Sequence, residues 1–271
     1  MLVQIYSVEV GMVITSKDNE KIKHIKKLKE KKYRDMYNEY LIEGIKIVEE
    51  AISENVNIKT IIICDDCDIE TSISEELRYE IAKRECIYVP EKIFVTLTDV
   101  ANPQSLMAVV EKENGKSEIS FNEDLYLVLD NIQDPGNMGT ILRTADSINL
   151  KQIIVSKGSA DAYNPKVVRS TMGAIFRVNI IVSDNLVDTI KELKKHKIKV
   201  MATNLEESKS IYEVDYKKSA IVIGNEANGV SKDILNIADE NIRIPMLGKT
   251  ESLNAAVATG IVLYEAVRRK L

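Results

Sequence analysis

The sequence predicts an α/β protein in two parts, a small α/β domain followed by a larger domain built on a parallel sheet. After residue 124, short runs of nearly continuous Ile, Val and Leu alternate with stretches of helical periodicity. This alternation is typical of a parallel sheet covered by helices on both faces. A polar segment containing Gly115 separates this region from a less regular one. We therefore expect domains at 14–111 and 125–271, joined by a linker at 112–124.

The first region combines helical and extended patterns. Apolar residues recur near a period of 3.6 between Leu41 and Ile52, which predicts a helix there. Residues 1–13 precede the pattern, and we expect no more than an extra strand from them. The predicted helices are 18–31, 38–53 and 74–84, and the predicted strands are 56–64, 86–90 and 105–111.

The second region alternates more regularly, which predicts parallel strands joined by helices. The predicted strands are 125–130, 151–155, 178–182, 198–203, 219–223 and 241–244. The predicted helices are 136–148, 165–173, 184–196, 231–238 and 252–269, with the cations Arg268, Arg269 and Lys270 closing the last one.

Composition and charge limit the possible functions. No window reaches the ~18 consecutive apolar residues of a membrane helix, and the N-terminus lacks the features of a signal peptide, so we expect a cytoplasmic protein. The net charge of −5 argues against nonspecific nucleic-acid binding. Residues 16–35, however, hold nine Lys or Arg and four acids. We expect the face from Lys21 to Arg34 to grip RNA phosphates, although a solvated helix face gives the same pattern.

The three cysteines predict neither a disulfide framework nor a metal site. Cys64 and Cys67 form a C-x-x-C pair, but the remaining soft ligands are scattered singly, so a zinc site lacks its second pair. We interpret the pair as incidental cysteines at a strand end.

Polar residues follow the predicted strands at three places, and ligands of parallel sheets bind beyond the carboxyl ends of the strands. After the first strand, Asp134 can cap a helix and Pro135 fits its first position. Capping leaves the cluster of Asn131, Asn137 and Arg143 unexplained.

The other two places are the loops after residues 223 and 244. Residues 224–229 resemble a phosphate loop, but they lack the Walker lysine and carry an acid, Glu226, which would repel a triphosphate. No dinucleotide fingerprint occurs in the chain. In the last segment, Ser252 can cap a long helix rich in small residues, which leaves Asn254 in the first turn unexplained.

Together these segments resemble a known family. "DNIQDPGNMGTILRTAD", "IGNEANGVS" and "IPMLGKTESLNAAVATGIVLYEA" are similar, in order, to the three motifs of the SpoU (TrmH-like) RNA 2′-O-ribose methyltransferases of the SPOUT superfamily. "NEKIKHIKKLKEKKYRDMYNEYLIEGIKIVEEA" and "DVANPQSLMAVVE" resemble the substrate-binding domain that precedes the catalytic domain in many ribosomal-RNA members. The resemblance implies a sheet with a deep C-terminal trefoil knot, S-adenosylmethionine as cofactor, an RNA substrate, a homodimer and no metal.

The resemblance also implies site residues by motif position. The S-adenosylmethionine pocket would be formed by Thr203, Leu205, Gly224, Ile244 and Leu253. The catalytic group would comprise Asn131, Arg143, Glu226, Ser252 and Asn254. Because arginine stays protonated in proteins, we expect Arg143 chiefly to clamp a phosphate beside the target ribose.

Three alternatives remain open at the level of sequence. The RNA could be transfer RNA instead of ribosomal RNA, the protein could bind RNA without catalysis, or it could methylate a base. Base methylation would call for a group at a base edge and not for the Asn–Arg pair. The chain departs from the family pattern at Ala227 and at Ala255-Ala256, which leaves target choice open.

Overall fold

The computed structural model describes residues 11–67, 69, 72–112 and 118–268. Two compact units are present. The first comprises the described part of Met1–Glu113 together with Tyr163–Phe176, and the second comprises the described part of Asn114–Ala162 and Arg177–Leu271. Residues 1–10, 113–117 of the predicted linker, and Arg269 and Lys270 lie outside the described residues.

Twelve strands occur in the described part of the chain. They are β1 (Met12–Val13), β2 (Glu39–Glu43), β3 (Ile58–Cys64), β4 (Cys86–Val89), β5 (Leu106–Glu111), β6 (Leu125–Leu129), β7 (Gln152–Ser156), β8 (Asn179–Ser183), β9 (Lys199–Thr203), β10 (Lys209–Ser210), β11 (Ser219–Ile223) and β12 (Glu240–Arg243).

Ten α-helices accompany these strands over the same described residues. They are α1 (Glu20–Lys27), α2 (Lys31–Tyr37), α3 (Ile45–Ser53), α4 (Glu75–Ala82), α5 (Glu91–Leu97), α6 (Pro135–Ser147), α7 (Pro165–Thr171), α8 (Leu186–Lys195), α9 (Lys232–Ile237) and α10 (Ala255–Val267). None of the described helices is long and apolar enough to cross a membrane.

The first unit is built on a mixed sheet with strand order β1-β4-β3-β5-β2. Strand β3 runs parallel to β4 and antiparallel to β5, which in turn pairs antiparallel with β2. One face buries the apolar stripe of α1, Ile22 and Ile25, in a cluster that also includes Phe94 of α5. The small α/β domain is therefore present, although α5 was not predicted.

The predicted helix over 38–53 is wrong. Asn38 takes a left-handed conformation at φ 56° and ends α2, and residues 39–43 then pair with β5 as a strand. Gly44, at φ 115°, turns the chain into α3. The periodic apolar residues belong to two elements, because strand pairing overrides a helical pattern that spans so few residues. The predicted helix over 18–31 likewise ends early, at Lys27.

The interpretation of Cys64 and Cys67 as incidental cysteines is also wrong, because the two are joined as a disulfide. Cys64 ends β3, and the turn that follows brings the two Cα atoms to 5.5 Å, within the range that a disulfide requires. Cys86 is a buried free thiol, and burial raises its pKa.

Arg34, the last cation of the basic run, is buried, so the expectation that it grips RNA is wrong. Arg34 is only 2% exposed and donates to the backbone carbonyls of Leu28 and Lys29. It therefore stabilises the turn between α1 and α2. Several lysines of the run are held by carboxylates. These are Lys21, Lys23, Lys29 and Lys31, paired with Glu85, Glu20, Asp99 and Asp35.

The second unit confirms the predicted parallel sheet. Seven strands, all parallel, have the order β10-β12-β9-β11-β6-β7-β8. All six predicted strands lie within one or two residues of their expected bounds, and the two-residue β10 was not predicted. The sheet interior and helices α8 and α9 share a buried apolar cluster that contains Val128, Val200 and Val222. Because these central strands are apolar throughout, the polar groups concentrate beyond their carboxyl ends.

Candidate active site

The carboxyl ends of β6 and β11 lie side by side. The two strands are parallel neighbours with Leu129 opposite Ile223, so the residues that follow them meet at one edge of the sheet. The side-chain amide of Asn225 donates to the backbone carbonyl of Asn131 at 2.8 Å. Two segments that are far apart in sequence are thereby joined directly.

The loop after β11 is a tight backbone turn. The side-chain oxygen of Asn225 accepts from the backbone N–H groups of Ala227 and Asn228, each at 3.0 Å, and Asn225 and Gly229 form a backbone bridge. A Cβ atom on Gly224 would collide with the backbone of Gly229 and Val230. Residue 224 therefore has to be glycine, and the closed turn holds Glu226 outward at its tip.

Glu226 lies against the start of α6. Its carboxylate accepts the backbone N–H groups of Gln133 and Asp134, both at 3.2 Å, and the side-chain amide of Asn137 at 2.9 Å. Partial burial acts to raise the pKa of Glu226, but the hydrogen bonds from Asn137 and the backbone outweigh burial, and the net pKa is lowered. An ionised Glu226 is also favoured at the positive end of a helix. It serves as a fixed acceptor and not as a proton donor.

Asn137 is the centre of the network. Its amide nitrogen donates to Glu226, and its amide oxygen accepts from the amide nitrogen of Asn254 at 2.9 Å. Asn254 then caps α10, because its own oxygen accepts from the backbone of Ala256 and Val257. One buried amide thus connects all three segments identified from sequence.

Sequence reasoning noted Asn137 but did not select it. The structure joins Asn137, and not Asn131, to Glu226 and Asn254. The signal was available, because Ile141, four residues later on the same face of α6, is buried. A polar residue at such a position requires a hydrogen-bonding partner. Asp134 does cap α6 as predicted, by accepting from the backbone N–H of Asn137 at 2.8 Å.

Asn131 shapes the turn after β6. It takes φ 56°, its backbone N–H donates to the Ser156 hydroxyl at 2.8 Å, and its side-chain amide donates to Asp130 at 2.9 Å. Asp130, which was not predicted, is buried and also accepts the backbone N–H of Ser231 at 2.8 Å. Together Asn131 and Asp130 hold the first loop against the segment that precedes α9.

Ser252 does not cap the last helix, so that expectation is wrong. The helix begins at Ala255, and Asn254 supplies the capping oxygen. An asparagine caps at least as well as a serine, and the structure uses the residue next to the helix. Ser252 is exposed two residues earlier.

Arg143 is exposed on α6, two turns after its start. Its guanidinium forms no hydrogen bond or ion pair with any other residue that the structure describes. By helical spacing it shares a face with Thr140 and Ser147, which are also exposed. A guanidinium without a carboxylate partner is available for an external anion such as phosphate.

The comparisons with known proteins agree with this arrangement. The profile of the SpoU rRNA Methylase family matches residues 124–264, and that of the MRM3-like substrate binding domain matches residues 19–108. The chain belongs to the SpoU rRNA methylase family.

Relatives cover nearly the whole chain. The 23S rRNA (guanosine(2553)-2′-O)-methyltransferase RlmP of Bacillus subtilis is 37% identical over 252 residues, which are 93% of this chain and 97% of that protein. The crystal structure of an AdoMet-bound rRNA methyltransferase from Sinorhizobium meliloti is 33% identical with a TM-score of 0.84, covering 96% of this chain and 98% of that one. The SpoU methyltransferase AviRb from Streptomyces viridochromogenes, in complex with AdoMet, is 25% identical with a TM-score of 0.79, covering 93% and 99%.

For a SpoU methylase, the edge next to the network should suit S-adenosylmethionine, its cofactor. Thr203, Gly224 and Ile244 follow or end the adjacent strands β9, β11 and β12, so they meet at one edge of the sheet. Leu253 directly precedes Asn254 and is half-buried, whereas Leu205 is 61% exposed. The hydroxyl of Thr203 donates to the carbonyl of Val222 at 3.0 Å, so this side chain also ties two strands together.

The loop at 245–252 supplies backbone polar groups that could bind S-adenosylmethionine. No hydrogen bond joins its backbone to any other residue in the described part of the chain, so its N–H and carbonyl groups are available to a ligand. The side chain of Leu247 in this loop is fully exposed. Free backbone groups beside apolar side chains suit the adenine and the aliphatic part of S-adenosylmethionine. The residues present therefore fit this cofactor, and no group of three or more His, Cys, Asp or Glu within the described residues could hold a metal ion.

Proposed function

We propose that this protein transfers a methyl group from S-adenosylmethionine to a ribose 2′-hydroxyl of ribosomal RNA. The observation that carries the proposal is the hydrogen-bonded chain from Glu226 through Asn137 to Asn254, which assembles three motifs at one edge of the sheet. Membership of the SpoU rRNA methylase family supports the same reaction. In this reaction the 2′-oxygen gains the methyl group, the carbon–sulfur bond breaks, and the hydroxyl proton leaves to solvent.

The cofactor, when bound, supplies an electrophilic methyl group on a sulfonium centre. We assign its pocket to Thr203, Leu205, Gly224, Ile244 and Leu253. The protein then has to hold the ribose hydroxyl in line with that methyl group, because most of the acceleration available to such a displacement comes from orientation. A rigid network across three chain segments is suited to that task.

Arg143 is assigned to the substrate. Since its guanidinium is exposed and permanently charged, it clamps the phosphate beside the target ribose and can also stabilise the negative charge left on the 2′-oxygen as the hydroxyl proton departs. Asn137, Glu226 and Asn254 position α6, which carries Arg143. Asn131 shapes the adjoining turn, and Ser252 forms an exposed polar wall next to Leu253.

The homodimer is part of the proposal, and its surface lies on α6 and α10. The two helices pack closely at Thr144 and Gly260, and the Tyr264 hydroxyl lies 3.2 Å from that of Ser147. Beside this contact, Val257 and Tyr264 of α10 are about half exposed. They are seven residues apart and so share one face of the helix. A second copy of the chain would bury this face and bring further residues to Arg143.

Ribosomal RNA in the cytoplasm is the proposed substrate, with residues 14–111 as the RNA-binding domain and 125–271 as the methyltransferase domain. The Bacillus subtilis relative is named for a guanosine of 23S rRNA, and the likeness extends over both domains. We propose a guanosine ribose of 23S rRNA as the target.

The decisive experiment maps ribose methylation on RNA from cells with and without this protein. We expect one 2′-O-methyl guanosine of 23S rRNA to disappear in the deletion strain and to return with the wild-type gene, but not with Arg143→Ala. Loss of a base methylation, loss of a tRNA methylation, or an unchanged map would contradict the proposal.

A further inference from the structure

A small aromatic and basic cluster in the first unit is not accounted for by the active site. It comprises Lys27, Lys32, Tyr33 and Tyr37, which we call the Tyr33 cluster. The ammonium groups of Lys27 and Lys32 each lie 5.6 Å from the centroid of the Tyr33 ring. The rings of Tyr33 and Tyr37 are 6.2 Å apart with planes only 13° from parallel.

The two lysines of this cluster have no direct carboxylate contact, although Lys27 is near enough to Glu20 to help lower the pKa of that carboxyl. Four other lysines of the same run are paired with carboxylates, as described above. Lys27 and Lys32 form no ion pair with any residue of the described ranges. Two of the unpaired cations of the basic run therefore lie beside Tyr33, while Lys17 and Lys26 also form no ion pair within the described ranges.

Core packing accounts for Tyr37 but not for Tyr33. Tyr37 packs against the apolar cluster of the first unit, and His24 lies against its ring with centroids 4.5 Å apart. Tyr33 is half-buried and does not belong to that cluster. Neither tyrosine hydroxyl has a hydrogen-bond partner in the described part of the chain, so both are available to a ligand.

Another tyrosine of the same unit, Tyr79, also contacts a lysine and can be compared with Tyr33. Tyr79 on α4 is exposed, and the ammonium group of Lys83 lies 3.9 Å from its ring centroid. Lys83 is also paired with Glu80 at 2.6 Å, a carboxylate that Arg84 contacts as well. Tyr79 therefore provides an internal control, since it has an aromatic ring and a cation that is held in an ion pair.

We propose that the Tyr33 cluster is a stacking site for an unpaired base of a single-stranded RNA segment, with Lys27 and Lys32 neutralising the flanking phosphates. Aromatic rings beside free cations recognise single strands, because unstacked bases expose their faces whereas duplex bases do not. An acidic peptide would satisfy the lysines but would leave the ring without a partner. The proposal rests on the proposed function only for the choice of RNA as ligand.

The first test measures binding of a fluorescein-labelled single-stranded oligouridylate to the full-length protein by fluorescence anisotropy. We expect Tyr33→Ala to weaken binding by about 5-fold to 150-fold, the range for one base–aromatic stack, and Tyr33→Phe to retain most of the affinity. The matched control Tyr79→Ala should bind as the wild type does. Equal losses in the two alanine variants, or an equal loss with a hairpin duplex of the same charge, would overturn the stacking site.

The second test uses the absence of tryptophan from the sequence. Tyr33→Trp places a single indole in the cluster, and stacking of a base on it should quench its fluorescence when oligouridylate is added. Tyr79→Trp should show no quenching. If Tyr33→Trp is unaffected at an RNA concentration that saturates the anisotropy, or if a polyglutamate peptide quenches it equally, the proposal fails. This readout needs only folded protein, so it covers the case in which Tyr33→Ala does not fold.

The contribution of the two lysines is tested by the salt dependence of the binding affinity. Replacing both Lys27 and Lys32 by Gln should reduce the slope of log affinity against log salt concentration by about 1.4, the value for two phosphate contacts on a single strand. Replacing the paired Lys23 and Lys31 should change the slope less, and an equal change would overturn the assignment. Methyl transfer is not measured in any of these assays, so the stacking site and the proposed reaction can fail independently.

Discussion

The amide of Asn137 donates to the carboxylate of Glu226 across 89 residues of sequence, at 2.9 Å. The contact holds the loop after β11 against the first turn of α6, and the opposite end of the same amide binds Asn254 of the third motif. The Asn137 side chain thus needs both of the other segments to satisfy its two ends. The contact is therefore a sensitive point at which to test the site.

Asn137→Ala should reduce methyl transfer by about 10-fold to 100-fold, because it removes one hydrogen bond from Glu226 and one from Asn254 and loosens the helix that carries Arg143. Single-turnover methylation with purified rRNA measures the loss. Asn131→Gly is the matched control, since glycine accepts the positive φ of this position, and it should lower the rate less than Asn137→Ala. A lower rate in Asn131→Gly than in Asn137→Ala would show that Asn131, and not Asn137, is the more important residue of the site.

Arg143→Ala should lower the methyl-transfer rate by at least about 100-fold, as expected when a charged group that stabilises the transition state is removed. Calorimetric titration should show unchanged binding of S-adenosylmethionine, because Arg143 belongs to the substrate side of the site. Arg143→Lys keeps the charge without the two-pronged geometry and should recover only part of the rate. Weakened cofactor binding in Arg143→Ala would contradict this division of roles.

Glu226 should contribute to stability at neutral pH and not in acid. Its folded-state pKa lies below the ordinary glutamate value of 4.5, so its contribution is complete above pH 4.5 and is lost as the pH falls through the folded-state value. Urea unfolding of the wild type and Glu226→Gln should differ at pH 7, and the difference should shrink progressively below pH 4.5. If the stability difference between the two proteins grows on acidification, the folded-state pKa of Glu226 is raised and not lowered.

Asn254→Ala should destabilise the protein by about 1–2 kcal/mol through loss of the helix cap alone. Ser252→Ala should stay within about 0.5 kcal/mol of the wild type, because Ser252 does not cap α10. Urea denaturation monitored by circular dichroism compares the two variants. A large loss of stability from Ser252→Ala would show that it caps or braces the helix after all.

Val257→Glu should convert the proposed dimer to a monomer, because it places a charge in the centre of an apolar surface on α10. Sedimentation velocity gives the association state directly. Val182→Glu is the matched control, since Val182 is also an exposed valine but lies on β8. Dissociation by both variants, or by neither, would place the interface elsewhere.

The parallel sheet was predictable because its strands are apolar on both faces and short enough to be distinct from helices. The helix cap at Asp134 was also predictable, because a cap involves residues only three positions apart. The strand at 39–43 was not, because its apolar residues continue the periodicity of the helix that follows and only pairing with β5 distinguishes them. The trefoil knot stays a prediction that rests on the family.

The sequence by itself determined the six predicted strands of the parallel sheet and the five helices after residue 124, because these depend on local periodicity. The three motif segments were recognised by their resemblance to the family. Tertiary structure alone decided which polar residues meet. Asn131 and Asn137 both follow β6 closely in sequence, but the parallel register of β6 and β11 sets Glu226 against the start of α6, where the side chain of Asn137, and not that of Asn131, donates to it. Long-range register fixes hydrogen-bond partners, and no local pattern encodes it.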